Sequence, residues 1–331
     1  MRADRRWLLL AVVFSILPTL LVSAGERLHI PLGLDAYMPI PEDNPLTARK
    51  AALGRELFAD PRLSRDEKVS CATCHEPQRA FTDAREVAIG VFGRRGSRRV
   101  PRLVNRGYGR SFFWDGRSAT LEEQVVRPIQ DPKEMDLTLA EAAARVASVR
   151  RYQDLFREAF AREITTQDLA RALASYVRTI LSGDSPYDRY INGDSSALSE
   201  EARRGLRVFR GKGNCTACHL GPNLTDESFH NTGLAWRDGR FADDGRLYVT
   251  RNEKDQGAFK TPTLREAARS APYMHDGSMA TLEEVVAYYD RGGNKNPYLD
   301  PELRPLNLTE QEKKALIAFL QSLNGTLRDG M

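Results

Sequence analysis

The sequence predicts an all-α protein made of two domains on one plan, with long loops between the helices. Three observations carry that prediction. Apolar residues recur at helical spacing, Gly and Pro gather between the helical stretches, and one set of landmarks occurs twice along the chain. Leu169, Ala172, Leu173, Tyr176, Val177, Ile180 and Leu181 fall on one stripe of period 3.6. A second helix is predicted to start at the Thr309-x-x-Glu312 capping box and to carry Leu316, Phe319, Leu320 and Leu323 on its apolar face. Such stripes are core. Few stretches alternate with period two, and clusters such as Gly292-Gly293-Asn294 belong to loops.

The repeated landmarks begin with similar helices, Leu53-Gly54 to Phe58 and Gly205-Leu206 to Phe209. Farther on, the segment from Asp115 to Val125 matches that from Asp276 to Val286 without a gap, and each holds a Thr-x-x-Glu start signal, at Thr120 and Thr281. The boundary between the copies is placed near Ser185 to Ser196, giving an N-terminal domain over 25–190 and a C-terminal domain over 191–331.

All four cysteines of the chain belong to the same motif in the two copies, Cys71-Ala72-Thr73-Cys74-His75 and Cys215-Thr216-Ala217-Cys218-His219. C-x-x-C-H is the attachment site of c-type haem: two thiols take the vinyl groups, and the adjoining histidine is placed to ligate the iron. A thioredoxin-like motif does not call for the histidine, a zinc site would gather the four cysteines, and two complete copies with none left over argue against chance. Two covalent haems are expected, with Cys71, Cys74, Cys215 and Cys218 as the attachment points and His75 and His219 as iron ligands. With no leftover cysteine, a disulfide framework is excluded.

The N-terminus agrees with that chemistry. Arg2, Arg5 and Arg6 precede an apolar run from Trp7 to Val22 and a small-residue cleavage pattern, so residues 1–24 read as a secretory signal peptide cut after Ala24. Haem is attached to this motif outside the cytoplasm, and the periplasm is the expected compartment. An uncleaved segment would instead anchor the chain in a membrane. The net charge is +4, about half of it from the leader, so the mature chain is near neutral and nucleic acid is not an expected partner. The one basic loop, with Arg94, Arg95, Arg98, Arg99 and Arg102, reads as a solvated loop, with docking of an anionic surface or haem propionates as the alternative.

The two copies are not equal. Extending the gapless match sets Arg127 against Tyr288 and Pro128 against Tyr289. If this helix face overlooks the haem, one copy offers a phenol to the iron and the other a proline, which has no ligating atom and is expected to break the helix. An iron held by His219 and Tyr289 beside an iron held by His75 alone suggests chemistry at the first copy and electron storage at the second.

At this point the chain resembles the bacterial di-haem cytochrome c peroxidase family, which includes MauG. The resemblance spans nearly all of the mature chain, from Leu57-Phe58-Ala59-Asp60-Pro61-Arg62-Leu63-Ser64 through Phe113-Trp114-Asp115-Gly116-Arg117, Thr261-Pro262-Thr263-Leu264-Arg265 and Ala271-Pro272-Tyr273-Met274-His275-Asp276-Gly277. It implies two cytochrome-c-like domains and a haem at His75 that reduces hydrogen peroxide. It further implies that Trp114 carries electrons or holes between the haems and that Gln124, Pro128 and Glu134 form the distal pocket. Glu134 is then the acid–base group, since cleaving a bound peroxide requires a proton to be moved between its oxygens. Taken alone, Trp114 would be a core aromatic and Glu134 a surface residue.

Three departures from the usual pattern matter. Where many such peroxidases place a histidine that closes the reactive haem, this sequence has Val91, and no histidine lies between His75 and His219. The usual methionine ligand of the second haem is replaced by Tyr289, as in MauG, with Met274, Met279 and Tyr288 as rival candidates. A tyrosinate favours higher oxidation states than a thioether does. The family's interdomain calcium draws on an asparagine side chain where this sequence has Arg99, a residue that cannot ligate a cation but can supply positive charge, while Ser270 and Pro272 match positions that contribute carbonyls. The expected partners are hydrogen peroxide and either a small redox protein (cytochrome c or a cupredoxin) or, as for MauG, a protein substrate. The competing class is a non-catalytic di-haem electron carrier, which would require both irons to be closed.

Overall fold

The computed structural model describes residues 28–331; the expected leader and its cleavage point lie outside the described residues. Eleven helices dominate: α1 (Ala48–Phe58), α2 (Cys71–Cys74), α3 (Leu121–Gln130), α4 (Leu139–Ala147), α5 (Arg150–Phe160), α6 (Thr166–Arg178), α7 (Pro186–Ile191), α8 (Glu200–Arg210), α9 (Leu247–Thr250), α10 (Leu282–Asp290) and α11 (Glu310–Gln321). Six short strands form three two-stranded antiparallel pairs: β1 (Ile180–Gly183) with β6 (Thr326–Asp329), β2 (Phe229–His230) with β5 (Phe259–Lys260), and β3 (Trp236–Arg237) with β4 (Arg240–Phe241). The chain is therefore mostly helical, as expected. Among the described residues no helix is long and apolar enough to cross a membrane.

Two apolar cores are present, and each is organised by the same crossing. In the first, α1 lies across α6, and Gly54 sits where a Cβ would run into the Ala172 carbonyl. In the second, α8 lies across α11, and Gly205 meets the Ala315 carbonyl in the same way. Glycine at these two positions lets the backbones touch, and Leu53, Leu57, Leu206 and Phe319 then fill the flanks.

The segments matched in sequence adopt matching local structures. Asn105 and Glu266 both have φ of 60° and both hydrogen-bond Ser182. Isolated bridges join Phe112 to Ser118 and Tyr273 to Met279, and Gly116 and Gly277 both have φ of 69°. Thr120 and Thr281 then cap α3 and α10. The caps differ in detail: Glu284 closes a full capping box, whereas Glu123 reaches past Thr120 to the Ala119 amide.

Three expectations are corrected. The stripe ending at Leu181 is not all helix, because α6 stops at Arg178 and Ile180 and Leu181 enter β1, where β6 supplies their backbone partners. Pro128 does not break α3, which runs on to Gln130; so near the C-terminus, a proline leaves only the Gln124 carbonyl without its helical donor. The basic loop is solvated only at Arg94 and Arg95. Arg98 bridges Asp115 and Asp243, Arg99 is buried among backbone carbonyls, and Arg102 bonds the Ser270 hydroxyl and the Thr263 carbonyl, so the loop straps the two halves together.

Candidate active site

Each C-x-x-C-H motif forms one tight turn. Ser70 and Thr73 exchange side-chain and backbone bonds around α2, and Cys215 opens a single 3-10 turn. No two of the four cysteines are joined in a disulfide. Burial pushes the thiols of Cys71 and Cys215 up to about 12 and that of Cys74 up to about 11. A redox-active C-x-x-C needs the opposite, a depressed pKa that yields thiolate near neutrality. These thiols suit covalent attachment, not disulfide exchange.

The two histidines are set the same way. His75 donates from Nδ1 to the Phe81 carbonyl at 2.8 Å, and His219 from Nδ1 to the Leu224 carbonyl at 3.0 Å. A carbonyl can only accept, so Nδ1 carries the proton and Nε2 is left with its lone pair free for a metal. Both carbonyls come from buried residues forced into the left-handed region, Phe81 at φ 56° and Leu224 at φ 52°. That strain costs roughly 1–2 kcal/mol per residue and is retained at both histidines. Burial also lowers both imidazole pKa values, that of His219 to about 4, which favours the neutral, ligating form.

Beside the second motif lies a cavity of about 280 Å³ lined by Cys215, Cys218, His219, Trp114, Arg102 and Tyr289 among others. Tyr289 extends from α10 into this wall, whereas its neighbour Tyr288 is buried with its hydroxyl donating to the Thr232 carbonyl at 2.8 Å. That bond commits Tyr288 to structure and leaves Tyr289 as the phenol of this helix that fronts the cavity. Met274 also lines it. The cavity carries an independent mark of an anionic cofactor. Arg102 Nε is buried with no partner, and burial beside Arg99 lowers the Arg102 pKa to about 10. A haem propionate would satisfy both the orphaned donor and the uncompensated charge.

His230 lines the same cavity and was not singled out from sequence. Its Nδ1 meets Asp300 at 2.6 Å and its Nε2 meets Asp226 at 2.9 Å, and the Asp300 bond leads in raising its pKa to about 11. With both nitrogens held by carboxylates, His230 is a fixed imidazolium. The grouping of Cys218, Asp226 and His230 is therefore an ion-paired cluster, not a metal site. Nothing in the local sequence around His230 signals this, because Asp300 arrives from a distant loop.

Gln124 on α3 lines the same cavity as His219; Pro128 follows it on α3, and the turn after the helix carries Glu134. Glu134 is half-buried, and burial together with the Asp131 carboxylate pushes its pKa up to about 7. Val91, at the position where a closing histidine would stand, is fully buried, and its amide donates to the Glu134 carbonyl at 2.8 Å. The loop thus braces the Glu134 turn. Trp114 donates from Nε1 to the Arg99 carbonyl at 2.8 Å and accepts from the Lys260 amide at 2.8 Å, so bonds from both halves hold it. The calcium, doubtful from sequence, does not fit: the Ser270 carbonyl, at one of the two matched positions, already accepts from the Arg99 guanidinium at 2.8 Å.

Two covalent-haem turns and two oriented histidines define the class, a di-haem c-type oxidoreductase. Comparison with known proteins gives the family. Residues 48–196 match the di-haem cytochrome c peroxidase model and residues 202–324 the cytochrome c model. The methylamine utilization protein MauG of Methylorubrum extorquens is 42% identical over 288 residues, covering 86% of this chain and 81% of that protein. The cytochrome c551 peroxidase of Pseudomonas aeruginosa is 33% identical over 302 residues, covering 87% of this chain and 84% of that one. A solved MauG-like protein associated with microbial copper homeostasis superposes with a TM-score of 0.82 at 35% identity, covering 88% of this chain and 95% of that one. The chain belongs to the di-haem cytochrome c peroxidase and MauG family, and its cofactors are two c-type haems.

Proposed function

We propose that this protein is a periplasmic peroxidase that reduces hydrogen peroxide at the His75 haem and draws the electrons, through the His219 haem, from residues of a protein substrate. The observation that carries this reading is the inequality of matched positions: Tyr289 fronts the second cavity, whereas α3 offers Pro128. The domain plan proposed from sequence, 25–190 and 191–331 on one repeat, supplies the match. The haem iron, when bound, supplies the electrons that break the peroxide O–O bond; each peroxide takes up two electrons and two protons and leaves as two waters.

The residues have distinct tasks. His75, fixed by Phe81, leaves Nε2 for the iron. Glu134, with its pKa near neutrality, accepts a proton from one peroxide oxygen and returns it to the departing one. Gln124 offers an amide that can orient bound peroxide, and Pro128 leaves the ligand position open. Trp114 would carry electrons between the haems, and Tyr289 with His219 would hold the second iron, where a phenolate suits a store of oxidising equivalents better than a donor-facing electron entry. Val91, which has no ligating atom, would leave the His75 iron without a closing ligand from this loop. Cytochrome c or a cupredoxin as electron donor is the second reading, supported by relatives named cytochrome c peroxidases. A di-haem carrier without turnover would need a ligand from α3, and Pro128 has none.

The test is to add stoichiometric peroxide to the diferric protein and follow its absorption and EPR spectra. An immediate, long-lived change at both haems is expected. Inertness until one haem is reduced would overturn the open-iron reading.

A further inference from the structure

Arg99 occupies a place where three other segments converge on it, around Asp83–Arg85, at Trp114 and around Ser270–His275. Its guanidinium donates to the Arg85 carbonyl at 2.8 Å, the Asp83 carbonyl at 2.9 Å and the Ser270 carbonyl at 2.8 Å, and Nη1 lies 3.5 Å from the Asp83 carboxylate. Asp83 and Arg85 follow the first haem motif, whereas Ser270 belongs to the opposite half. The Arg99 backbone takes part as well: its carbonyl accepts from Trp114 Nε1 at 2.8 Å, and its amide donates to the His275 carbonyl at 2.7 Å. The residue is only 5% exposed.

A ring of carbonyls from separate segments beside one carboxylate is a donor set for a hard divalent cation. Calcium gathers six to eight such oxygens at about 2.3–2.6 Å. Here a planar cation with five N–H donors has the oxygens instead, at hydrogen-bond distance, and there is no room for an ion among them. Arg102 adds a second guanidinium on the Ser270 hydroxyl, which raises the positive charge at the same point. A guanidinium stays protonated at any physiological pH, so unlike a bound metal this cation cannot be lost to a chelator.

We propose that Arg99 is a covalent replacement for the interdomain calcium, a positioning residue that joins the two halves and sets Trp114 between them, so that this protein needs no divalent metal. The holoprotein, treated with EDTA and dialysed, serves as the first sample. Elemental analysis is expected to find well under one equivalent of calcium, and the thermal midpoint and the EPR signals of both haems are expected to match the untreated protein. Stoichiometric calcium whose removal shifts either property would overturn the proposal.

The second sample is Arg99→Asn in EDTA. Its thermal midpoint is expected to fall by roughly 5–10 °C, with a shifted Trp114 environment read from the resonance Raman indole bands. Added calcium chloride is expected to recover at least half of each change and to do nothing to the parent protein. An Arg99→Asn protein indistinguishable from its parent in EDTA, or one that calcium fails to restore, would overturn it. Should that variant not fold, the metal content and EDTA response of the parent, with Arg99→Lys as a charge-keeping variant expected to stay calcium-free, decide the matter.

Discussion

At the residue scale, two tyrosines one position apart are asked to do different things. Tyr288 spends its hydroxyl on the Thr232 carbonyl, whereas Tyr289 faces the cavity with burial pushing its phenol well above the ordinary range. Such a phenol ionises only beside a compensating cation such as ferric iron. Tyr289→Phe is therefore expected to abolish the low-spin EPR signal of the second haem, while Tyr288→Phe leaves that signal intact and lowers stability by about 1 kcal/mol. Glu134 gives a pH signature at the same scale. A general base works unprotonated, so with its pKa near 7 the peroxide reaction should rise with pH through neutrality and level off above it. In stopped-flow measurements, Glu134→Gln should lose that limb and slow the reaction roughly 10²–10⁴-fold.

At the scale of elements, the Glu134 turn is only as well placed as the loop behind it. Gly90 packs so closely that a Cβ would collide with the Lys133 and Glu134 carbonyls, and the next amide, that of Val91, bonds the Glu134 carbonyl. Gly90→Ala is thus expected to displace the turn and slow the peroxide reaction about 10–100-fold, with the EPR signal of the second haem unchanged. The same loop shows where sequence reading reaches and where it stops. The motif turns, the capping signals at Thr281 and Thr309 and the stripes of α6 and α11 are short-range patterns, and each was legible. Val91 was legible as a missing histidine but not as a brace, because its partner lies on another element. The arginine loop was misread for a related reason. Five arginines among polar residues look solvated, and Arg94 and Arg95 are, but Asp243, Ser270 and Thr263, far away in sequence, supply acceptors for Arg98, Arg99 and Arg102. His230 was missed because Asp300, 70 residues away in sequence, becomes its neighbour only in the fold.

At the scale of the whole molecule, the two halves are interlocked, not merely tethered. The C-terminal β6 returns to pair with β1, Arg106 forks onto Glu227, Arg98 onto Asp243, and the buried Arg265 onto the buried Asp188 at 2.7 and 2.9 Å. The last pair matters most, because removing Arg265 would strand a carboxylate in the interior. Breaking a buried pair costs roughly 3–5 kcal/mol, whereas an exposed pair contributes about 0–1 kcal/mol. Arg265→Met should therefore lower the thermal midpoint of the holoprotein by about 10 °C. Arg151→Ala, which removes the exposed pair with Glu56, should leave it nearly unmoved. Arg265 also donates to the Gly33 carbonyl at 2.7 Å, which ties the N-terminal segment to this pair, so its loss should loosen both haem environments at once. Calorimetry with simultaneous Soret detection is expected to show one transition in which both haem signals change together, in the parent and in the variant alike. Two separate transitions in the parent, each assignable to one haem, would show that the halves fold independently and that the crossing bonds contribute little.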